Sequence, residues 1–446
     1  MYSLAIIGGG PAGYVAAEKA AKGGMSVVLF EMRELGGVCL NEGCIPTKTL
    51  LYSAKMLDQA NHADRYGVNV ADATLDFASV MKRKDKVVKK LVGGVKVRMR
   101  NAAVEVIREK ACIEGAIDGG FSIKAGENTY EAEKILICTG SEASVPPIPG
   151  LADSDAVVTN REILSLAEVP SKLVVIGGGV IGMEFASFFN SIGTEVTVIE
   201  MLPKILGPMD DEISAMLQAQ YAKKGVQFHL SCKVTAIEGN EVVYETPEGE
   251  TCRAQGDKIL LSVGRRANIR GFGLENIGVA MERGVKVNEK METSVPGVYA
   301  AGDVTAFSML AHTASHEAEV AVSNMLGIPA TMSYNAIPGI VYTNPEVAGV
   351  GITEQEAGAD VKVLKLPMAY SGRFVAENER GEGLCKVLVG PDDKVLGVHM
   401  LGNPCSEIIL SAAMAISRGL SVKELLEVVY PHPTVSEILK ETLSLG

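Results

Sequence analysis

Apolar runs punctuated by glycine recur along the chain. Residues 4–7, Leu-Ala-Ile-Ile, lead into Gly8-Gly-Gly-Pro-Ala-Gly13, then into helical spacing over 14–22 and a second apolar run at 26–31. The same order returns at 173–182, Leu-Val-Val-Ile-Gly-Gly-Gly-Val-Ile-Gly, followed by a helical stretch at 183–191 and a strand at 195–200. Strand, glycine turn, helix and strand make a βαβ unit, so the pattern predicts two of them. Between them, the lysine-rich stretch at 77–100 reads as a helix, and Lys134-Ile-Leu-Ile-Cys-Thr-Gly140 as a strand closing on glycine. Lys258-Ile-Leu-Leu-Ser-Val-Gly264 repeats that closing strand, and Gly297-Val-Tyr-Ala-Ala-Gly-Asp303 is another. The proline-rich run 145–150 marks a crossing between domains. From about Tyr334, alternating strands at 361–366, 384–389 and 395–401 precede helices at 405–418, 422–428 and 434–445, which is an α+β pattern.

Composition narrows this further. A chain of 446 residues is too long for one core, and three or four domains are expected. With 47% hydrophobic and 22% charged residues it lies in the folding range. The 42 basic and 54 acidic side chains leave a charge of −12, the wrong sign for a nucleic-acid or anionic-membrane partner. The longest uncharged apolar run, 173–183, has 11 residues, short of the about 20 needed to span a bilayer. Because residues 4–7 already begin the fold, no leader is expected and a cytoplasmic location is. Six of the eight cysteines are scattered singly, and only Cys39 and Cys44 lie close together.

Gly8, Gly10 and Gly13 form the G-x-G-x-x-G turn between strand and helix, with Glu31 placed 18 residues after Gly13 at the end of the next strand. Together these make a dinucleotide fingerprint: a turn, a close backbone approach to pyrophosphate, a helix–strand packing point, and an acid for ribose hydroxyls. Gly177, Gly179 and Gly182 with Glu200 repeat it at the same spacing, so two dinucleotides are expected. An acid at Glu200 repels a 2′-phosphate, favouring NAD over NADP. Two dinucleotides suggest hydride transfer between a nicotinamide and a flavin.

Gly36-Gly-Val-Cys39-Leu-Asn-Glu-Gly-Cys44-Ile-Pro-Thr-Lys48 follows Glu31. No further metal ligand is close in sequence, so no metal is expected. Pro46 suits a first helical turn, which puts Cys44 near a helix N-terminus where a thiolate is favoured. A reversible disulfide across a glycine-containing loop and two unrelated thiols are the competing readings. Lys48, four residues on, shares a helical face with Cys44. His432 lies between prolines before the last helix, and Glu437 stands at capping-box spacing from Thr434; thiol chemistry would use such a histidine as its base, fixed by a carboxylate.

On these residues, together with Ala301-Gly-Asp303, Met309-Leu-Ala-His312, Tyr342-Thr-Asn-Pro-Glu346 and His432-Pro-Thr-Val-Ser-Glu437, the whole chain resembles the flavoprotein disulfide reductases, most closely their dihydrolipoamide dehydrogenase branch. The resemblance implies an α/β fold of two Rossmann-like dinucleotide-binding domains and an α+β dimerisation domain. Their expected bounds are 1–145 for FAD, 146–267 for NAD, 268–334 for a central segment completing the FAD domain, and 335–446 for the interface. It also implies a homodimer whose site joins the disulfide of one subunit to the histidine of the other, with Cys39 as interchange thiol and Cys44 beside the flavin. FAD would meet Lys48 (paired with Glu184), Ala111, Thr139, Gly140, Ser141, Asp303, Met309, Leu310, Ala311 and His312. NAD would meet Gly177, Gly179, Val180, Ile181, Gly182, Glu184, Glu200, Val234 and Gly264. The implied reaction oxidises protein-bound dihydrolipoamide with reduction of NAD. No lipoyl domain precedes the first strand, so the lipoyl group is expected on a 2-oxo acid dehydrogenase or glycine cleavage protein. Two residues depart from the pattern: Tyr430 and Asn344 stand where the family commonly has histidine. They bear on the substrate more than on the reaction class and leave open a reductase of glutathione or coenzyme A disulfide; a catalytically inactive complex subunit is a further alternative, against which the intact Cys39, Cys44, His432 and Glu437 set speaks.

Overall fold

In the strand Tyr2–Ile7, residues 4–6 are wholly buried, as a parallel strand covered on both faces requires. The computed structural model describes residues 1–378 and 381–446. It divides into two compact units: Met1–Thr49, Met81–Ser144 and Gly264–Ser333 form the first, and Leu50–Val80, Val145–Val263 and Tyr334–Gly446 the second.

In the first unit, Tyr2–Ile7 lies between the parallel strands Val27–Phe30 and Asn128–Ile137, in register Leu4 to Val27 and Leu4 to Lys134. Glu105–Ile107 extends the sheet beyond Val27–Phe30, and Val298–Ala300 adds to Asn128–Ile137. An antiparallel arm, Gly120–Ala125 and Ala111–Ile117, completes seven strands. The helix Pro11–Lys22 buries Ala12, Ala16, Ala17 and Ala20, small residues that permit close packing. Lys19 Nζ near its end reaches Ser323 Oγ (2.8 Å) and Glu319 O (2.8 Å) on the helix Ala311–Met325.

The second unit holds a five-stranded parallel sheet ordered Gln227–His229, Glu195–Ile199, Lys172–Ile176, Lys258–Leu261, Val157–Val158. It also holds a five-stranded antiparallel sheet, Gly339–Val341, Val347–Gly351, Val395–Leu401, Leu384–Val389 and Lys362–Pro367, backed by the helices Cys405–Arg418 and Glu437–Leu443. A third sheet escapes the sequence reading: the antiparallel strands Lys233–Glu238, Glu241–Glu245 and Thr251–Gln255. It is tied to the proline-rich run by Ile237 N–H donating to Pro149 O at 2.8 Å. Among the described residues no helix is long and apolar enough to cross a membrane, and no cluster of side chains could hold a metal ion.

Candidate active site

The two glycine turns adopt one geometry. Gly8 and Gly177 have φ of +111° and +103°, and a Cβ there would meet Cys138 O at 2.1 Å and Ser262 O at 2.5 Å. A Cβ on Gly13 or Gly182 would meet the carbonyl of Gly8 or Gly177 at 1.8 or 2.1 Å, which fixes helix against strand. Gly10 and Gly179, by contrast, are open, with only Gly37 Cα at 3.8 Å from the first and nothing within 4 Å of the second. Each caps a 12-residue helix, Pro11–Lys22 or Val180–Ser191, without a side-chain hydrogen bond, so the first-turn N–H groups face outward as a pyrophosphate needs. Val180 and Ile181 open the second of these helices.

The acids match as well. Glu31 accepts from Gly9 N (2.8 Å) and Arg33 N (2.7 Å), while Glu200 accepts from Gly178 N (2.6 Å) and Leu202 N (2.7 Å). Both carboxylates are thereby fixed beside their turns, and the residues fit two dinucleotides.

Where the sequence suggests only a loop, residues 37–42 form the short helix Gly37–Glu42, entered through Gly36 at φ +99° and Gly37 at φ +57°. A Cβ on Gly37 would lie 2.7 Å from Gly10 Cα, so the cysteine segment packs directly on the first glycine turn. Cys44 begins the next helix, Cys44–Asn61. The two cysteines are present as a dithiol, and the Cys39 thiol is hydrogen-bonded to Cys44. That hydrogen bond, then burial and the charge of Cys44, push the Cys39 thiol up, with Lys48 pulling the other way.

Around the same unit, Ser141 Oγ donates to Asp303 Oδ2 (2.5 Å) and accepts from Arg265 Nε (2.7 Å). Thr139 Oγ1 donates to Asn268 O (2.7 Å), and Asn268 Nδ2 returns a bond to Thr139 O (3.1 Å). Gly140 turns at φ +69° between Thr139 and Ser141. Met309 and Leu310 lead into the helix that Ala311 and His312 begin, and Ala111 is buried at the head of its strand. Sequence reasoning missed Arg265, Asn268 and Glu317. The last is a fully buried carboxylate accepting from Gly302 N at 2.6 Å, but its spacing looks like that of any helical acid.

In the second unit Glu184 is buried and accepts from Tyr342 N (3.1 Å). Asn344, at a departure position, uses its amide in both directions: Nδ2 donates to Asp58 Oδ2 (3.3 Å) and Oδ1 accepts from Asn403 Nδ2 (2.8 Å). Val234 sits at an irregularity in its strand pairing. Gly264, expected near NAD, opens the last stretch of the first unit at φ +107°. His432 is 78% exposed, and its Nδ1–H donates to Glu437 Oε1 at 2.9 Å, so that in a neutral imidazole Nε2 is the acceptor. Glu437 Oε2 accepts from Thr434 N (2.9 Å), so the final helix starts at Glu437 rather than at 434. Those two bonds, the backbone one first, hold its carboxyl below the usual range. At the other departure position, the Tyr430 ring lies under Lys440 Nζ at 5.9 Å, and burial raises its phenol.

Comparison with known proteins agrees with this arrangement. The model of the pyridine nucleotide-disulphide oxidoreductases matches residues 2–318, and that of their dimerisation domain matches 337–443. A dihydrolipoyl dehydrogenase of Thermus scotoductus is 40% identical, over 99% of this chain and 96% of its own. One from Bacillus subtilis is 38% identical, over 99% and 97%. The structure of the HOCl-induced flavoprotein disulfide reductase RclA from Escherichia coli superposes with a TM-score of 0.87 at 29% identity, covering all of both chains.

Proposed function

The chain belongs to the pyridine nucleotide-disulphide oxidoreductase family, and from that premise we propose that it oxidises the dihydrolipoyl group of a partner protein and reduces NAD. The observation that carries the reading is the Cys39–Cys44 dithiol packed on the first dinucleotide turn. The proposed assembly is a homodimer in which His432 of one protomer serves the dithiol of the other. His432 Nε2 takes the proton of one dihydrolipoyl thiol, and the resulting thiolate attacks Cys39 Sγ of a Cys39–Cys44 disulfide. The S–S bond breaks, Cys44 leaves as thiolate, and a mixed disulfide joins Cys39 to the lipoyl sulfur. The second lipoyl thiol attacks that sulfur and gives its proton to the departing Cys39, releasing oxidised lipoyl, while the first proton stays on His432. The raised Cys39 thiol favours its protonated form in this final state. FAD and NAD, when bound at the two turns, supply the two-electron acceptor and the hydride carrier that renew the disulfide. The supporting lipoyl proteins are those of a 2-oxo acid dehydrogenase or glycine cleavage system, in the reducing cytoplasm where isolated thiols persist.

A steady-state assay with dihydrolipoamide and NAD tests this, and turnover confined to glutathione or coenzyme A disulfide would overturn it. His432→Gln should slow dihydrolipoamide oxidation by about 10²–10⁴-fold and remove the histidine limb of its pH profile. Glu200→Ala should raise kcat/KM for NADP relative to NAD, since the repelling carboxylate is gone; an unchanged ratio would exclude Glu200 as the ribose acid.

A further inference from the structure

The lysine-rich helix Phe77–Asn101 takes no part in the chemistry above. It carries nine basic side chains and one acid, in a chain whose net charge is −12. Its inner face is Lys84, Val92, Val95 and Met99, all buried. Several of its bases are used internally: Lys84 pairs with Asp85 (2.8 Å), Lys96 with Glu34 (2.9 Å) and Arg98 with Glu18, while Arg83 Nη1 donates to Thr49 O (3.1 Å). Lys82, Lys86, Lys89 and Lys90 are different. All four are exposed, and among the described residues none has a carboxylate within ion-pair reach. Their spacing of four, three and one puts them on one face of the helix, over about 12 Å of its length.

The same helix, through Arg83 and Arg98, packs on segments close to the redox cysteines. Thr49, which holds Arg83, follows Lys48 in the helix that Cys44 begins. Toward the other end of the basic helix, the Arg98 guanidinium lies 5.3 Å from the centroid of the Tyr14 ring. Tyr14 is in turn near enough to Cys39 and Cys44 for their charges, after burial, to raise its phenol.

Four adjacent cations repel one another, and the described residues supply no counter-charge for them although acids outnumber bases overall. We propose that the face formed by Lys82, Lys86, Lys89 and Lys90 docks an acidic surface on the protein domain that delivers the dihydrolipoyl group to Cys39. This rests on the function proposed above and names the chemistry of its partner. The rest of the surface, with its acidic excess, repels such a domain, so the lysine face both attracts and orients it beside the dithiol.

The test compares wild type with the charge reversal K82E/K86E/K89E/K90E on two reduced substrates, free dihydrolipoamide and a dihydrolipoyl-bearing domain of acidic net charge. For the domain, kcat/KM should fall at least about tenfold in the variant at low ionic strength, and its salt dependence should vanish. For free dihydrolipoamide it should be unchanged, which also shows that the variant is folded. Equal effects on the two substrates, or none on either, overturn the docking face. A variant that no longer sediments as the wild-type oligomer shows that the face joins two copies of this chain and overturns it too. Loss of binding to phosphatidylserine vesicles with no change toward the domain assigns the face to a membrane and has the same consequence. Wild type that fails with free dihydrolipoamide itself overturns the proposed function, and with it this inference.

Discussion

The Cys44→Ala enzyme is expected to lose dihydrolipoamide oxidation by at least about 10⁴-fold, because without Cys44 there is no disulfide for a substrate thiolate to open. The same substitution should change the surviving thiol in a predictable direction. Cys39 is pushed up first by its hydrogen bond to Cys44, then by burial and by the charge of Cys44, and Lys48 opposes these. Removing Cys44 removes the first and third causes and leaves Lys48 in place. The pH at which Cys39 reaches half its maximal alkylation rate should therefore fall in the variant relative to the reduced wild type. Mass-spectrometric mapping of iodoacetamide labelling across a pH series measures it. An unchanged profile would mean that burial alone governs Cys39 and that the two thiols do not act as a unit.

The sequence displayed both glycine turns because the constraint there is steric and local: Gly8, Gly13, Gly177 and Gly182 each face a backbone atom at a distance no Cβ tolerates. It displayed His432 and Glu437 because five residues of spacing suffice to join them. What it hid depends on partners distant along the chain. Glu317 is buried against Gly302, Arg265 reaches back to Ser141, and Asn344 binds Asp58 and Asn403; each reads in the sequence as a solvated polar side chain until the fold brings its partner up. The antiparallel strands between Lys233 and Gln255 were hidden for another reason. Their strands are only five or six residues long and the middle one buries three consecutive residues, which leaves little periodicity to read. The helix Gly37–Glu42 was masked by its glycines, although Gly36 and Gly37 are what let it begin.

Lys386 belongs to that hidden class and has the largest expected effect on stability. It lies in the central part of the strand Leu384–Val389 with no exposed side-chain surface, and its Nζ reaches Asp210 (2.7 Å), Glu212 (2.8 Å) and Glu354 (2.5 Å). Asp210 is equally buried and also caps the helix Asp211–Lys223 by accepting from Ile213 N (3.2 Å). Burial pushes its carboxyl up, but the Lys386 ammonium and the Ile213 N–H outweigh burial and leave it below the usual range. Burial likewise lowers Lys386, and the three carboxylates more than reverse that. Lys386→Met, close in shape, should destabilise the protein by about 3–5 kcal/mol at neutral pH, because it strands the Asp210 carboxylate in the interior. The pH dependence separates this cause from a packing defect. In the wild type, the contribution of Asp210 is present above its unfolded pKa of about 3.9 and is lost as pH falls through the lower folded value. That of Lys386 is present below about 10.4 and is lost as pH rises through its raised value. In the variant, burial acts on Asp210 unopposed by the ammonium, so its pKa rises and it accepts a proton sooner on acidification. The difference in unfolding free energy between wild type and variant should therefore shrink from pH 7 toward pH 4 in denaturant titrations, and adding Asp210→Asn to Lys386→Met should recover part of the loss. A difference that stays constant across that range would show that the ion cluster contributes shape rather than charge.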